Sequence, residues 1–247
     1  MAVKVAINGL GRIGRCIARA IIENNYNDIE LVAVNGPAPI ESHVHLLRYD
    51  SIHGTCKDIK QVGEDKIDFG GNIVPLFRER DPSKLPWGEL DVDVVLECTG
   101  CFKKKDDIEL HIKAGAKKVL VSAPAEGAEV TIVDGVNNDA YDGSQNLLSI
   151  GSCTTNCLAP VAKILNDSIG IEKGFMTTIH AYTNDQNLTD SKHKDFCRSR
   201  AAAQSMIPTS TGAAKAIGLV IPDLKGKLDG VAVRVPTPNV SLVDFTF

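Results

Sequence analysis

Apolar residues in the first half of the chain fall into two alternating kinds of run. Continuous apolar runs at residues 3–7 and 29–34 flank a segment, 12–22, in which Ile13, Ile17, Ala20 and Ile21 recur at helical spacing. Those periods predict a buried strand, an amphipathic helix and a second buried strand, which together make a βαβ unit. Strand-like runs recur at 73–77, 92–96, 119–122 and 130–133, and a helical pattern covers 106–114. Strands that alternate with helices predict a parallel sheet covered on both faces, with right-handed crossovers. Residues 58–77 break the rhythm: Gly70 and Gly71 lie within them, which predicts an antiparallel hairpin insert.

The pattern changes near residue 150. The segment SIGSCTTNCLAP runs from a strand into a helix near Cys153. A long strand is expected over 174–182, then a polar loop over 183–205, a short helix from Gly212, and two antiparallel strands at 231–235 and 240–247. The chain therefore reads as two domains, 1–151 and 152–247. The first is α/β, with a doubly wound parallel sheet. The second is α+β, with a mostly antiparallel sheet, and it reads as incomplete, because the last alternating run stops with no closing helix or cap. No internal repeat or low-complexity tract is present.

Composition narrows the classes of function. The 247 residues are 43% apolar and 23% charged, the balance of a soluble globular protein large enough for two modest domains. A net charge of −4 argues against nucleic acid as the main partner. No apolar run reaches the roughly 18 residues of a membrane span, and the N-terminus lacks a secretory pattern. Seven cysteines, an odd number without framework spacing, predict free thiols in the cytoplasm.

Gly9, Gly11 and Gly14 form GxGxxG directly after the first strand and at the opening of the helix. In that setting the glycines allow a tight turn, close approach of a pyrophosphate and close helix–sheet packing, and the helix N-terminus favours the phosphate charge. A Rossmann-type dinucleotide site is the expectation. The acid that usually binds the adenosine ribose is missing, because Gly36 occupies its place at the end of the second strand. Ser42, His43, His45 and Arg80 are candidates to meet a 2′-phosphate, and Asn35 or the main chain is the alternative for holding the ribose of NAD. The choice between NAD and NADP stays open.

Cys153 lies where a strand meets a helix N-terminus, where amide groups and the helix dipole stabilise a thiolate. His180 ends the long strand and is a candidate base. Spacing alone does not pair them: an inert packed cysteine and a packed histidine are the commoner outcomes. Cys157, one turn on, is expected to be buried and structural. Cys98 and Cys101 form a CxxC without the second pair that zinc requires, so no metal is expected. Cys16, Cys56 and Cys197 carry no signal. Ser152, Thr154, Thr183, Arg200, Thr211, Gly212 and Arg234 are anion-binding candidates, although each alone is equally well a helix cap or a solvated side chain.

Taken in order, NGLGRIGR, YDSIHG, ERDPSKLPWG, ECTG, SAPAEGA, SCTTNCLAP, HAYTNDQ, STGAAKA, GKLDG and RVPTPNVSLVD resemble the phosphorylating glyceraldehyde-3-phosphate dehydrogenases along the whole chain. The resemblance implies a cysteine thioester mechanism, with Cys153 as nucleophile and His180 as base. It implies that Thr183 and Arg234 bind the substrate phosphate, and that Ser152, Thr211, Gly212 and Arg200 serve inorganic phosphate, with Thr154 beside them. It implies that Asn8, Gly9, Gly11, Arg12, Ile13, Gly14, Gly36, Arg80, Thr99, Gly100 and Ser122 line the NAD or NADP site, and that the full-length protein is a homotetramer. Erythrose-4-phosphate dehydrogenase, or a non-catalytic dinucleotide-binding fragment, are the alternatives. Thr183 and the STGAAKA segment favour the first reading over erythrose 4-phosphate. Ile150 and Gly151 depart from the family's AsnAla before the SerCys pair, a change expected to affect the turn that presents the thiol. Family members continue past residue 247 with further strands, an asparagine for the nicotinamide carboxamide and a terminal helix, so activity is expected of a protein that has those parts.

Overall fold

The computed structural model describes residues 2–24 and 26–247. The chain begins with β1 (Val3–Asn8), α1 (Arg12–Glu23) and β2 (Ile29–Asn35), and β1 and β2 are parallel. The last four residues of β1 are all buried, which is why that strand reads as a continuous apolar run. Next come α2 (Ile40–Arg48), a clip of β3 (Tyr49–Asp50) with β4 (Gly54–Thr55), and then β5 (Ile59–Val62), β6 (Lys66–Phe69) and β7 (Asn72–Phe77). They are followed by β8 (Val94–Glu97), α3 (Lys105–Lys113), β9 (Lys118–Val121), β10 (Val130–Thr131) and β11 (Leu147–Ser149).

The first sheet has the order β10-β11-β9-β8-β1-β2-β7-β6-β5. All pairings from β10 across to β7 are parallel, and β7/β6 and β6/β5 are antiparallel. The insert is therefore a three-strand meander whose last strand joins the parallel sheet. Its second turn uses Gly70 and Gly71, where the Gly71 amide donates to Asp68 Oδ1 at 2.6 Å. The helix α2 was not anticipated. Its buried positions Ile40, His43 and Leu47 keep helical spacing, but a histidine and flanking polar residues hide the period.

The second unit holds α4 (Cys153–Ile169), β12 (Gly174–Ala181), β13 (Ile207–Ser210), α5 (Ala213–Val220), β14 (Leu228–Val235) and β15 (Leu242–Thr246). Its sheet order is β13-β14-β12-β15. The last two strands run antiparallel, as expected, but with β12 between them: β14 lies parallel to β12 on one side, and β15 lies antiparallel to it on the other. Short β13, hidden in the sequence by Pro208 and neighbouring hydroxyls, is antiparallel to β14. Leu158, Ala159 and Ala162 of α4, Met176 of β12, Ile217 of α5 and Leu228 of β14 form one buried cluster.

Contacts divide the chain into residues 1–131 with 140–150, and residues 132–139 with 151–247. A single cut at 151/152 therefore misassigns 132–139: Val133 is buried in the second unit's core, and Val136 packs on it.

The glycine turn fixes how α1 meets β1. Gly9 has φ +100°, and a Cβ there would lie 2.6 Å from the Thr99 nitrogen. A Cβ on Gly14 would lie 2.1 Å from the Gly9 carbonyl oxygen, so no side chain fits without moving the backbone. Gly14→Ala is expected to cost about 1–3 kcal/mol of stability and to lower the urea midpoint of the first unit, measured by circular dichroism.

Candidate active site

Within the first unit, the C-terminal ends of β1, β2 and β8 open into a cleft of about 430 Å³ lined by Asn8, Gly9, Leu10, Gly11, Asn35, Gly36, Pro37, His43, Glu79, Arg80, Cys98, Thr99, Cys101 and Phe102. Ligands of open parallel sheets bind at this end of the strands. Gly11 is the N-cap of α1 and gives it no side-chain cap, and a Cβ on Gly11 would meet nothing within 4 Å. The first amides of α1 are thus left for an outside acceptor, and the backbone is bare enough for a pyrophosphate to reach them. The residues fit a dinucleotide.

Ile13 is half exposed on the first turn of α1. Arg12 is turned to Asp50, forming an ion pair through both carboxylate oxygens. Despite its burial, the Asp50 carboxyl is held well below the usual range by the His53 amide, Arg12 and the Ile52 amide. Gly100 has φ +73°, and Ser122 caps the far side of the β8 end, where its amide donates to the Glu97 carbonyl at 3.0 Å. Of the four candidates for a 2′-phosphate, His43 and Arg80 line the cleft and Ser42 and His45 do not. The His43 ring is 5% exposed and lies over Gly36, where a Cβ would approach its Cε1 and Nε2 at 2.7 Å. Burial holds this imidazole below its ordinary value, against an opposing effect of the Gly36 main chain and with help from Arg15 and Arg78. The Asn35 side chain is committed within the protein, to Asn8 at 2.6 Å and to Glu79.

Within the second unit, Ser152 is the N-cap of α4: its Oγ accepts from the Thr155 amide at 3.0 Å, and Cys153 is the first helical residue. Gly151, just before it, has φ +68°, so glycine suits the turn that delivers the thiol. His180 is the next-to-last residue of β12, with its Nε2 3.2 Å from the Cys153 Sγ. The other ring nitrogen, Nδ1, lies 2.7 Å from the Ala181 carbonyl oxygen and 2.8 Å from Arg234 Nη1. The tautomer with its proton on Nδ1, donated to that carbonyl, is the one that leaves Nε2 to take the thiol proton.

Hydrogen bonding to His180 lowers the Cys153 thiol, against burial, and the imidazole charge and the Thr154 amide add to the effect. His180 is raised in turn, mainly by Cys153 and by the Ala181 carbonyl, while burial and Arg234 oppose. Both shifts act in the direction of a thiolate–imidazolium pair.

Arg234 is the register partner of His180 on parallel β14. Its Nη1 donates to the Ala181 carbonyl at 3.0 Å, and its buried Nε has no protein partner. The Thr155 hydroxyl reaches the Ala213 carbonyl at 3.5 Å, which brings the start of α5 beside the start of α4. Thr211 Oγ1 accepts from the Ala213 amide at 3.1 Å, and Gly212 faces open space. Thr154 is buried, and exposed Thr183 is held by Gln186, whose Oε1 accepts from its amide at 2.9 Å.

Arg200 is not gathered with this set. Its side chain is 71% exposed and its Nη1 pairs with Asp190 at 2.7 Å. Sequence reasoning passed over its neighbour Arg198. That side chain is mostly buried, with Nε donating to Thr209 Oγ1 at 2.7 Å, Nη2 to the Ser210 carbonyl at 3.1 Å, and Nη1 paired to Asp185. Arg198 and Asp185 both act on the Arg234 charge. Two arginines a pair of residues apart look alike in sequence; only the 183–210 loop conformation decides which one turns inward. Cys157 is exposed rather than buried, because it lies on the outward side of α4, while Leu158 and Ala159 fill the core. Burial pushes the Cys98 thiol up to about 11. Among the described residues, no three metal-ligating side chains cluster, and no helix is long and apolar enough to cross a membrane.

The first unit's cleft has the form of a dinucleotide site at the ends of parallel strands, and in the second unit a thiol lies beside an imidazole, the pairing from which a nucleophilic cysteine is built. Comparison with known proteins sharpens this picture. Residues 3–105 match the glyceraldehyde 3-phosphate dehydrogenase NAD binding domain, and residues 152–247 match the C-terminal domain of the same family. Over all 247 residues the chain is 59% identical to the glyceraldehyde-3-phosphate dehydrogenase of Xanthobacter flavus and 56% identical to that of Cereibacter sphaeroides, spanning 74% of each. It is 55% identical over 245 residues to that of Geobacillus stearothermophilus, covering 99% of this chain and 72% of the relative. The chain belongs to the glyceraldehyde 3-phosphate dehydrogenase family.

Because the hydrogen bond to His180 is the main influence lowering the Cys153 thiol, His180→Asn should raise it toward its ordinary value of about 8.5. The pH midpoint of iodoacetamide alkylation at Cys153 should move upward, and the rate at pH 7 should fall about tenfold or more. An unmoved midpoint would remove His180 from the activation.

Proposed function

We propose that the protein oxidises glyceraldehyde 3-phosphate to 1,3-bisphosphoglycerate, using inorganic phosphate and NAD or NADP, as a glycolytic enzyme. The observation that carries this reading is the 3.2 Å approach of Cys153 Sγ to His180 Nε2 at the start of α4. The relatives named above favour glyceraldehyde 3-phosphate over erythrose 4-phosphate.

The Cys153 thiolate attacks the aldehyde carbon, and the C=O electron pair moves to oxygen to give a hemithioacetal. The amides at the start of α4 stabilise the developing oxyanion. His180 carries the thiol proton and supplies or removes the proton on that oxygen. The bound nicotinamide supplies the hydride acceptor. Loss of hydride and proton leaves a thioester on Cys153, which inorganic phosphate attacks at the carbonyl carbon; the C–S bond breaks and the thiolate returns. Thr183 and Arg234 hold the substrate phosphate, and Ser152, Thr154, Thr211 and Gly212 serve the attacking phosphate. Arg198 takes the place proposed for Arg200, since its guanidinium already faces this group of residues.

Asn8, Gly9, Gly11, Arg12, Ile13, Gly14, Arg80, Thr99, Gly100 and Ser122 form the cofactor site, and Gly36 leaves it open to either nicotinamide. No carboxylate at 36 repels a 2′-phosphate, and His43 and Arg80 stand on that side of the cleft. The protein acts in the cytoplasm as a homotetramer, a reading supported by its seven unpaired cysteines and by exposed Phe175, Val231 and Leu242 on the second sheet.

Cys153→Ser should lower phosphate-dependent reduction of NAD(P) by about a thousandfold or more; full turnover in that variant would exclude the thioester route. Gly36→Asp alone should bind either cofactor poorly, because the new side chain meets the His43 ring. Gly36→Asp combined with His43→Ala should shift the kcat/KM ratio roughly tenfold or more toward NAD. An unshifted ratio in the double variant would mean that position 36 does not read the 2′ group.

A further inference from the structure

Below the dinucleotide cleft lies a chain of polar groups whose buried members Glu97, His111 and Trp87 have no part in the chemistry above. Glu97 ends β8 with its side chain wholly inaccessible. Its Oε2 accepts from Asn8 Nδ2 at 2.5 Å and faces His111 Nε2 at 3.1 Å; its Oε1 accepts from the Thr99 amide at 2.8 Å and from the Thr99 hydroxyl. All four partners can donate, so both oxygens serve as acceptors. His111, on α3, is equally buried. Its Nδ1 accepts from the Trp87 indole N–H at 3.0 Å, which fixes the proton on Nε2 and points it at Glu97. On the other side, the Asn8 amide oxygen accepts from Asn35 at 2.6 Å.

Leaving any one of these groups unpaired is costly, and a fully paired network is rigid. The network ends on Asn8, Asn35 and Thr99, three residues that line the cleft, and the Thr99 nitrogen is the atom that a Cβ on Gly9 would strike. The position of the glycine turn relative to the β8 end is therefore set from underneath.

We propose that Glu97 is a positioning residue for dinucleotide binding, held as an acceptor by the Nε2 side of His111, whose Nδ1 accepts from Trp87. This rests on reading the cleft as the cofactor site. Glu97 touches no ligand; it locks Thr99 and Asn8 at the spacing the pyrophosphate turn requires. A shape-only role for His111 would be met by an apolar side chain, whereas the hydrogen-bond role demands an acceptor toward Trp87 and a donor toward Glu97. Glutamine supplies both.

The test is calorimetric titration of the full chain with NAD and with NADP, alongside the thermal midpoint and the emission of Trp87, the one tryptophan in the sequence. Glu97→Gln and His111→Met should each weaken cofactor binding about tenfold or more, with a changed Trp87 emission for His111→Met. His111→Gln should bind within about threefold of the parent. Alkylation of Cys153 should be unchanged in all three, reporting an intact second unit. If Glu97→Gln fails to fold, the His111 pair decides the matter. Parent-like binding by His111→Met, or equal weakening in His111→Gln and His111→Met, would overturn the proposal while leaving the cofactor site standing. A parent chain that binds neither nucleotide would overturn both.

Discussion

The proposed chemistry rests on one contact, between a sulfur at the first turn of α4 and an imidazole at the end of β12. Neither group is reactive enough alone near neutral pH: an ordinary thiol is mostly protonated and an ordinary imidazole is a weak base. Side by side, each moves the other's proton affinity in the useful direction. The contact requires that a helix start and a strand end arrive together, which the core arranges. Leu158 and Ala159 in α4, Met176 in β12 and Ile217 in α5 bury one another, and that packing fixes the helix ends relative to the sheet. Arg234 follows from register, since parallel pairing of β12 with β14 puts it beside His180.

The dinucleotide cleft solves a different problem. A pyrophosphate needs bare backbone, which glycine supplies, but glycine by itself does not hold a shape. Here the shape comes from Thr99 pressed against Gly9, from the Gly9 carbonyl filling the space beside Gly14, and from the buried Glu97 network beneath them. The missing acid at 36 belongs to the same local geometry: His43 occupies the volume that a side chain there would need, so glycine at 36 and histidine at 43 are a matched pair.

Much of this was legible in the sequence. The βαβ opening, the parallel sheet, the glycine turn and the candidate thiol all follow from local rules, because period, glycine spacing and helix start are properties of neighbouring residues. The elements that escaped notice, α2 and β13, are short, and polar residues or a proline mask their periods. The errors share a cause too. Residues 132–139 packing with the second unit, Cys157 facing outward and Arg198 turning in where Arg200 turns out are all choices among locally equivalent options.

By itself the sequence determined which residue types are available and which backbone conformations they favour: a cysteine at a helix start, glycines where a nucleotide must come close, a histidine closing a strand. Tertiary structure alone decided which of these meet. The sequence separation of 27 from Cys153 to His180 is bridged by packing of α4 against the sheet, and that of 14 from Glu97 to His111 by α3 folding back on the sheet. Proton affinities depend on distances of a few ångströms between such remote groups, and those distances are set by burial of side chains that take no part in the chemistry.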